Sequence, residues 1–217
     1  MFSGSITAIV TPFKNNKIDE KAFKALIEFQ IENKTSGIVP CGTTGESATL
    51  SYEEHDRVIE LAVLFAAKRI KVIAGTGSNS TAETVMLTRH AEKAGSDAAL
   101  LITPYYNKPT QRGLYAHYKT VAESSGLPII LYNVPGRTCV NLLPETVARL
   151  SEIENIVGVK EATGDLKQVS DVVEFSRKGF SVLSGDDFTT LPLLSVGGSG
   201  VISVTSNIVP RAVSDMV

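Results

Sequence analysis

Eight short, β-branched runs alternate with longer helical patterns along almost the whole chain, and that alternation restricts it to folds built on a mainly parallel sheet. The candidate strands are Ile6 to Val10, Gly37 to Val39, Lys71 to Ala74, Ala98 to Ile102, Ile129 to Tyr132, Ile156 to Val159, Phe180 to Leu183 and Val201 to Val204. Helix starts are legible between them. Ser51 with Glu54, and Ser80 with Glu83, have capping-box spacing, and Pro144 suits a first helical turn. Gly95, Gly126 and Gly179 fall where helices should stop. An open doubly wound sheet and a closed barrel both satisfy the pattern, but eight strand–helix units favour the barrel. No G-x-G-x-x-G follows the first strand, which weakens a dinucleotide fold. The glycines of Gly197-Gly198-Ser199-Gly200 precede a strand, so a tight αβ turn is their expected use.

The expected architecture is therefore a (β/α)8 TIM barrel, α/β in class, occupying residues 1–217 as one catalytic domain. A last helix is expected from Asn207, with Pro210 in its first turn and an apolar stripe of Ala212, Val213, Met216 and Val217. It stops without a cap, so the barrel reads as truncated within its eighth helix.

Composition narrows the function. At 43% hydrophobic over 217 residues, the chain can bury one substantial core. A net charge of -2 without a basic block argues against nucleic acid, and no apolar run is long enough to suggest a membrane span. No signal-type N-terminus is present. Cys41 and Cys139 match no paired-cysteine metal or redox pattern and fit a reducing cytoplasm. His55, His90 and His117 lie on helical segments without metal spacing, and are read as surface or interface residues. No metal site is expected.

Lys160 is the residue with chemical promise. It closes the apolar run Ile156-Val157-Gly158-Val159, where a parallel strand should be covered on both faces. Burial there depresses an ammonium's pKa, and a neutral amine is what attack on a carbonyl requires. A strand-end lysine that snorkels to solvent is the alternative. Because barrel active sites gather at the C-terminal strand ends, the residues following the other strands form its potential company. Gly42-Thr43-Thr44-Gly45 is suited to a small carboxylate and lacks the lysine of a phosphate loop. Tyr132 could exchange protons beside the amine, with Thr43 and Tyr106 completing a hydroxyl relay. Arg137, in a Pro-Gly-Arg-Thr turn, could reach a second carboxylate. Core packing for Tyr132 and solvation for Arg137 are the structural alternatives. Asp186 and Asp187 are expected to shape the pocket or hold loops.

Taken in order, GTTGES at Gly42 to Ser47, TPYYNKP at Thr103 to Pro109, YNVPGRT at Tyr132 to Thr138, VGVKEATGD at Val157 to Asp165 and SGDD at Ser184 to Asp187 form a specific set. The chain thereby resembles the dihydrodipicolinate synthase family, within the pyruvate-dependent aldolase and N-acetylneuraminate lyase superfamily. The resemblance covers essentially every residue. It implies condensation of pyruvate with L-aspartate 4-semialdehyde, leading to L-lysine, with no metal or redox cofactor. Lys160 would form the Schiff base, and Tyr132, Thr43 and Tyr106 would move protons, the last in a neighbouring subunit's site. Thr44 would hold the pyruvate carboxylate, Arg137 would orient the semialdehyde, and Gly185 with the Ile202 backbone would line the pocket.

The resemblance also implies a cytoplasmic homotetramer arranged as a dimer of dimers, and a small helical C-terminal domain that the sequence lacks. An L-lysine inhibitor site would comprise Ser47, Ala48, His55, Asn79, Glu83 and Tyr105. Tyr52 stands where lysine-sensitive relatives often carry histidine, and Glu83 has a simpler role in the helix cap. N-acetylneuraminate lyase and 2-keto-3-deoxy sugar acid aldolase share the imine strategy and are the near alternatives. A catalytically silent, ligand-binding barrel is the distant one.

Overall fold

A computed structural model describes residues 1–217 and contains a closed barrel of eight parallel strands. These are β1 (Gly4–Ala8), β2 (Gly37–Val39), β3 (Lys71–Gly75), β4 (Ala98–Ile102), β5 (Ile129–Asn133), β6 (Ile156–Glu161), β7 (Ser181–Ser184) and β8 (Gly200–Ser203). Closure is made by β1, which pairs with β8 through Ile6 and Ile202 and with β2 through Ile6 and Gly37. One helix follows each strand: α1 (Glu20–Glu32), α2 (Tyr52–Ala66), α3 (Thr81–Ala94), α4 (Gln111–Ser124), α5 (Pro144–Ser151), α6 (Leu166–Phe175), α7 (Thr190–Ser195) and α8 (Pro210–Met216).

The strands divide the apolar residues into two cores. Ile6, Ala8, Val39, Ile73, Leu100, Ile130, Tyr132, Leu183 and Ile202 fill the barrel interior. Alternate positions, such as Leu101, Leu131, Val159 and Val182, pack outward beneath the helices. The pleat produces this division, since successive side chains leave opposite faces. A strand buried on both faces must be apolar throughout, which is why the runs are continuous. Lys160 interrupts that rule from the inner face.

Helix ends follow local chemistry. The Ser51 hydroxyl accepts from the Glu54 amide while the Glu54 carboxylate accepts from the Ser51 amide, a complete capping box. At Ser80 only the first half forms, because the Glu83 carboxylate turns aside and accepts from the Ser78 hydroxyl at 2.8 Å. The expected second half of that cap is thus corrected, and Glu83 faces a cleft instead. Gly95 ends α3 in a left-handed conformation. Gly126 and Gly179 do not cap their helices: α4 and α6 end on Ser125 and Ser176, and the glycines lie in the turns beyond. Val196 caps α7, and Gly197 to Ser199 make the expected turn into β8.

A small antiparallel hairpin, Phe13–Lys14 with Lys17–Ile18, was not apparent from the strand pattern. Asn15 and Asn16 both take positive φ, the requirement of a two-residue hairpin turn. The last helix begins at Pro210, three residues later than expected. Asn207 sits in a preceding 3-10 turn, where its side chain donates to Ala8 O and pins β1. Only Pro210 and Val213 of the final helix are buried, while Ala212 and Met216 are exposed. Of the expected apolar stripe, Val213 alone is buried. No helix is long and apolar enough to cross a membrane.

Candidate active site

Strand register brings the central residues together. Tyr132 on β5 pairs with Lys160 on β6, and Lys160 pairs with Leu183 on β7. Tyr132 and Leu183 both belong to the barrel interior, so Lys160 projects inward between them. Its side chain is not snorkelling: the residue is 6% exposed. The Lys160 Nζ lies 4.2 Å from the centre of the Tyr132 ring. The amine's pKa falls to about 8: burial lowers it most, the Asp186 and Asp187 charges oppose, and the Arg137 charge adds a smaller lowering. Desolvation wins because the carboxylates are only partly buried. At pH 8 such an amine is roughly half neutral, against about 0.3% for an ordinary lysine.

Tyr132 places a titratable hydroxyl group beside the amine. Burial raises its phenol's pKa, and the Asp186 charge adds to this, whereas the Thr43 hydroxyl and Arg137 pull it down. Thr43 and Tyr132 share the wall of a small cavity at the C-terminal mouth, with Cys41, Leu100 and Ile102. The Tyr132 and Thr43 side chains are thus neighbours at that mouth. Tyr106 stands apart from both: it is 88% exposed, with φ at +73°. Thr44 is half-buried beside Gly45 in the same loop.

Gly185 packs beside the Lys160 stem, and lines neither cavity at the mouth. Its amide donates to Glu161 O at 2.7 Å. An added Cβ would come within 2.6 Å of the Ala162 Cβ and 3.2 Å of the Lys160 Cε, so no larger residue fits there without displacing the lysine. Ile202 is fully buried on β8, on the inner face. Arg137 sits in a single helical turn, Pro135–Thr138, exposed at the mouth and without an ion-pair partner. The two aspartates divide their labour. Asp187 accepts from the Ser203 hydroxyl and from the Val204 and Thr205 amides, and these bonds hold its carboxyl low despite burial. Asp186 is raised by burial, with Lys160 and Arg137 opposing, so its charge bears on the lysine.

A cleft of about 1060 Å³ opens beside this mouth. Thr43, Tyr106 and Arg137 lie on its wall, but Lys160 does not; it stands deeper in the barrel. Of the six residues expected around an inhibitor, Ser47, Ala48, His55, Glu83 and Tyr105 line the cleft. Asn79 does not: its carbonyl instead accepts from the Asn107 side chain at 3.0 Å. Tyr52 lines the cleft too, and its hydroxyl bonds to Glu83, which raises the phenol's pKa.

The histidines depart from expectation. His55 and His117 are buried, with His55 Nε2 2.9 Å from Gly75 O and His117 Nδ1 2.9 Å from the Thr81 hydroxyl. Burial depresses both, His117 to about 4. His90 is half-buried near Asp56. Cys41 is a buried packing residue whose thiol is pushed up by desolvation, while Cys139 is exposed. Sequence reasoning passed over Asn133 and Glu161 as a pair. They face each other in register on the outer side of β5 and β6, and only that register reveals it.

A parallel eight-stranded barrel whose interior holds a desolvated lysine against a tyrosine, with an arginine at the mouth, defines the class of imine-forming barrel enzymes. Comparison narrows the class. The model of the dihydrodipicolinate synthetase family matches residues 1–217, and the chain belongs to that family. The 4-hydroxy-tetrahydrodipicolinate synthase of Syntrophus aciditrophicus is 66% identical over 217 residues, covering 100% of this chain and 75% of the relative. The crystal structure of a chloride-inhibited dihydrodipicolinate synthase from Acinetobacter baumannii, complexed with pyruvate, is 53% identical with a TM-score of 0.97, covering 99% of this chain and 74% of that one. A lysine-bound relative from Cyanidioschyzon merolae is 42% identical with a TM-score of 0.96, over 99% and 74% of the respective chains. The chain thus spans about three quarters of the length of these relatives.

Proposed function

We propose that residues 1–217 form a catalytic barrel that condenses pyruvate with L-aspartate 4-semialdehyde to 4-hydroxy-tetrahydrodipicolinate, a lyase step of L-lysine biosynthesis. The observation that carries this reading is the buried Lys160 amine, lowered to about 8, standing 4.2 Å from the Tyr132 ring in a chain of this family. The neutral amine attacks the pyruvate ketone to give a carbinolamine, and proton delivery to the hydroxyl expels water and leaves an iminium. Loss of a methyl proton gives the enamine. Its carbon attacks the aldehyde of the second substrate, whose own amino group then displaces Lys160 and closes the ring. The iminium accepts the electron pair that a bare pyruvate carbanion would have to carry.

Each neighbouring group has a role in that sequence. Tyr132 and Thr43 carry protons to the carbinolamine hydroxyl and from the methyl carbon, and Tyr106, exposed at the mouth, completes the relay across a subunit boundary in a dimer of dimers. Thr44 and the glycine loop receive the pyruvate carboxylate, and Arg137 receives that of the semialdehyde through its fork of donors. Gly185 and Ile202 shape the space around the lysine. The cytoplasm is the compartment in which we place this chemistry. The cleft lined by Ser47, Ala48, Glu83, Tyr52 and Tyr105 is our candidate for L-lysine, with Glu83 opposing the ligand's ammonium. The lysine-bound relative supports this assignment.

Substrate choice is tested by turnover. Aspartate semialdehyde should be consumed with pyruvate, while N-acetylneuraminate should be cleaved at least about 10²-fold more slowly in kcat/KM, since one arginine at the mouth does not satisfy a polyhydroxylated chain. Equal or faster cleavage of the sugar acid would keep the imine chemistry and overturn the substrate.

A further inference from the structure

Behind the catalytic face lies a buried polar network that the reaction itself does not use. Glu161 follows Lys160 on β6 and points to the opposite side, where it is 2% exposed. No cation contributes to its environment; burial pushes its carboxyl up, and hydrogen bonds from Asn133, Thr163 and Gln168 hold it down. Three donors converge on it: Thr163 N at 3.0 Å, Asn133 Nδ2 at 3.1 Å and Gln168 Nε2 at 3.3 Å. Such a site suits an acceptor-only carboxylate.

The same network brackets the turn that carries Arg137. Asn133 immediately precedes that turn, and its Oδ1 accepts from Leu142 N at 2.9 Å on the far side. Its Nδ2 also donates to Asn141 Oδ1 at 2.8 Å, and Asn141 Nδ2 donates to Gln168 Oε1 at 2.8 Å. Residues 134–140 therefore leave and rejoin one buried cluster. Arg137 has no side-chain partner of its own, so the backbone of this turn sets where its guanidinium stands. The orientation of Asn133 is the hinge of the arrangement, and Glu161 fixes it by accepting from its amide nitrogen.

We propose that Glu161 is a positioning residue for the second substrate, acting through Asn133 and Asn141 to hold the Arg137 turn in its binding geometry. This inference rests on the reading that Arg137 receives the semialdehyde's carboxylate after Lys160 has formed the imine. A glutamine at position 161 would set an NH2 group against one of the three donors. Relief by flipping Asn133 would take its oxygen from Leu142 N and release the turn, while leaving a buried group unpaired otherwise.

A kinetic double-mutant cycle tests it, with Glu161→Gln, Arg137→Met and the pair. Glu161→Gln should raise the KM for the semialdehyde about tenfold, while pyruvate KM and the rate of borohydride capture stay within about twofold. In the Arg137→Met background, Glu161→Gln should add less than about twofold, because the residue it positions is already gone. An equal loss in both backgrounds, or a loss concentrated in pyruvate capture, would overturn the proposal. Should Glu161→Gln fail to fold, Asn141→Ala cuts the same link from the half-buried turn side and must show the same split. Failure of the parent enzyme to capture pyruvate would instead sink the imine reading, so the two failures are separable.

Discussion

Replacing Lys160 by methionine should reduce turnover by at least about 10³-fold and, at the same time, make the protein more stable. Both halves come from one fact. The amine is buried among Tyr132, Leu183 and Gly185, and its pKa falls from 10.5 to about 8. The unfolded chain therefore binds more protons between about pH 8 and pH 10.5, so stability rises with pH through that window. Below pH 8 the folded state carries the full cost of the desolvated charge, on the order of 3 kcal/mol. Methionine keeps the volume of the stem and removes the charge. Thermal melts at pH 7 should thus favour the variant, and its advantage should shrink as pH approaches 10.5. A variant equally stable at all pH values, or less stable at pH 7, would show that the lysine is not desolvated in the fold. The same titration predicts that imine formation in the parent slows as pH falls below about 8.

Tyr132→Phe should lower turnover by about 10² to 10³-fold with little change in stability. Phenylalanine preserves the ring that packs in the barrel interior and faces Lys160 Nζ. Only the hydroxyl is lost, and with it the proton that must reach the carbinolamine and later leave the methyl carbon. One neutral hydrogen bond contributes about 1 kcal/mol to folding, so the melting curve should move little. Steady-state kinetics beside a thermal melt separates the two effects. Turnover within about threefold of the parent would remove Tyr132 from proton transfer and leave it a packing residue.

The barrel was legible because its strands are apolar on both faces and its helices carry clear starts, such as the complete Ser51–Glu54 box. Strand ends were less so. Gly4 and Ser5 join β1 through pairing with β8, a tertiary contact that their own side chains do not announce. Lys160, Tyr132 and Arg137 could be found since strand ends collect the chemistry of this fold. What could not be read was register. Asn133 and Glu161 lie next to Tyr132 and Lys160 in sequence, yet only pairing across β5 and β6 shows them to be mutual partners. Glu83 illustrates the converse: its spacing suggested a cap, but the Ser78 hydroxyl competes for the carboxylate and turns it toward the cleft. Burial of His55 and His117 was hidden because helical spacing alone does not say which stripe packs on which neighbour.

Whether Lys160 forms the imine is decided by mixing the protein with pyruvate and borohydride and mapping the adduct by peptide mass spectrometry. Borohydride should trap a reduced pyruvate imine on the peptide containing Lys160 and on no other lysine, with loss of turnover in proportion to labelling. A folded protein that turns over the semialdehyde without any adduct at Lys160, or with the adduct elsewhere, would contradict it.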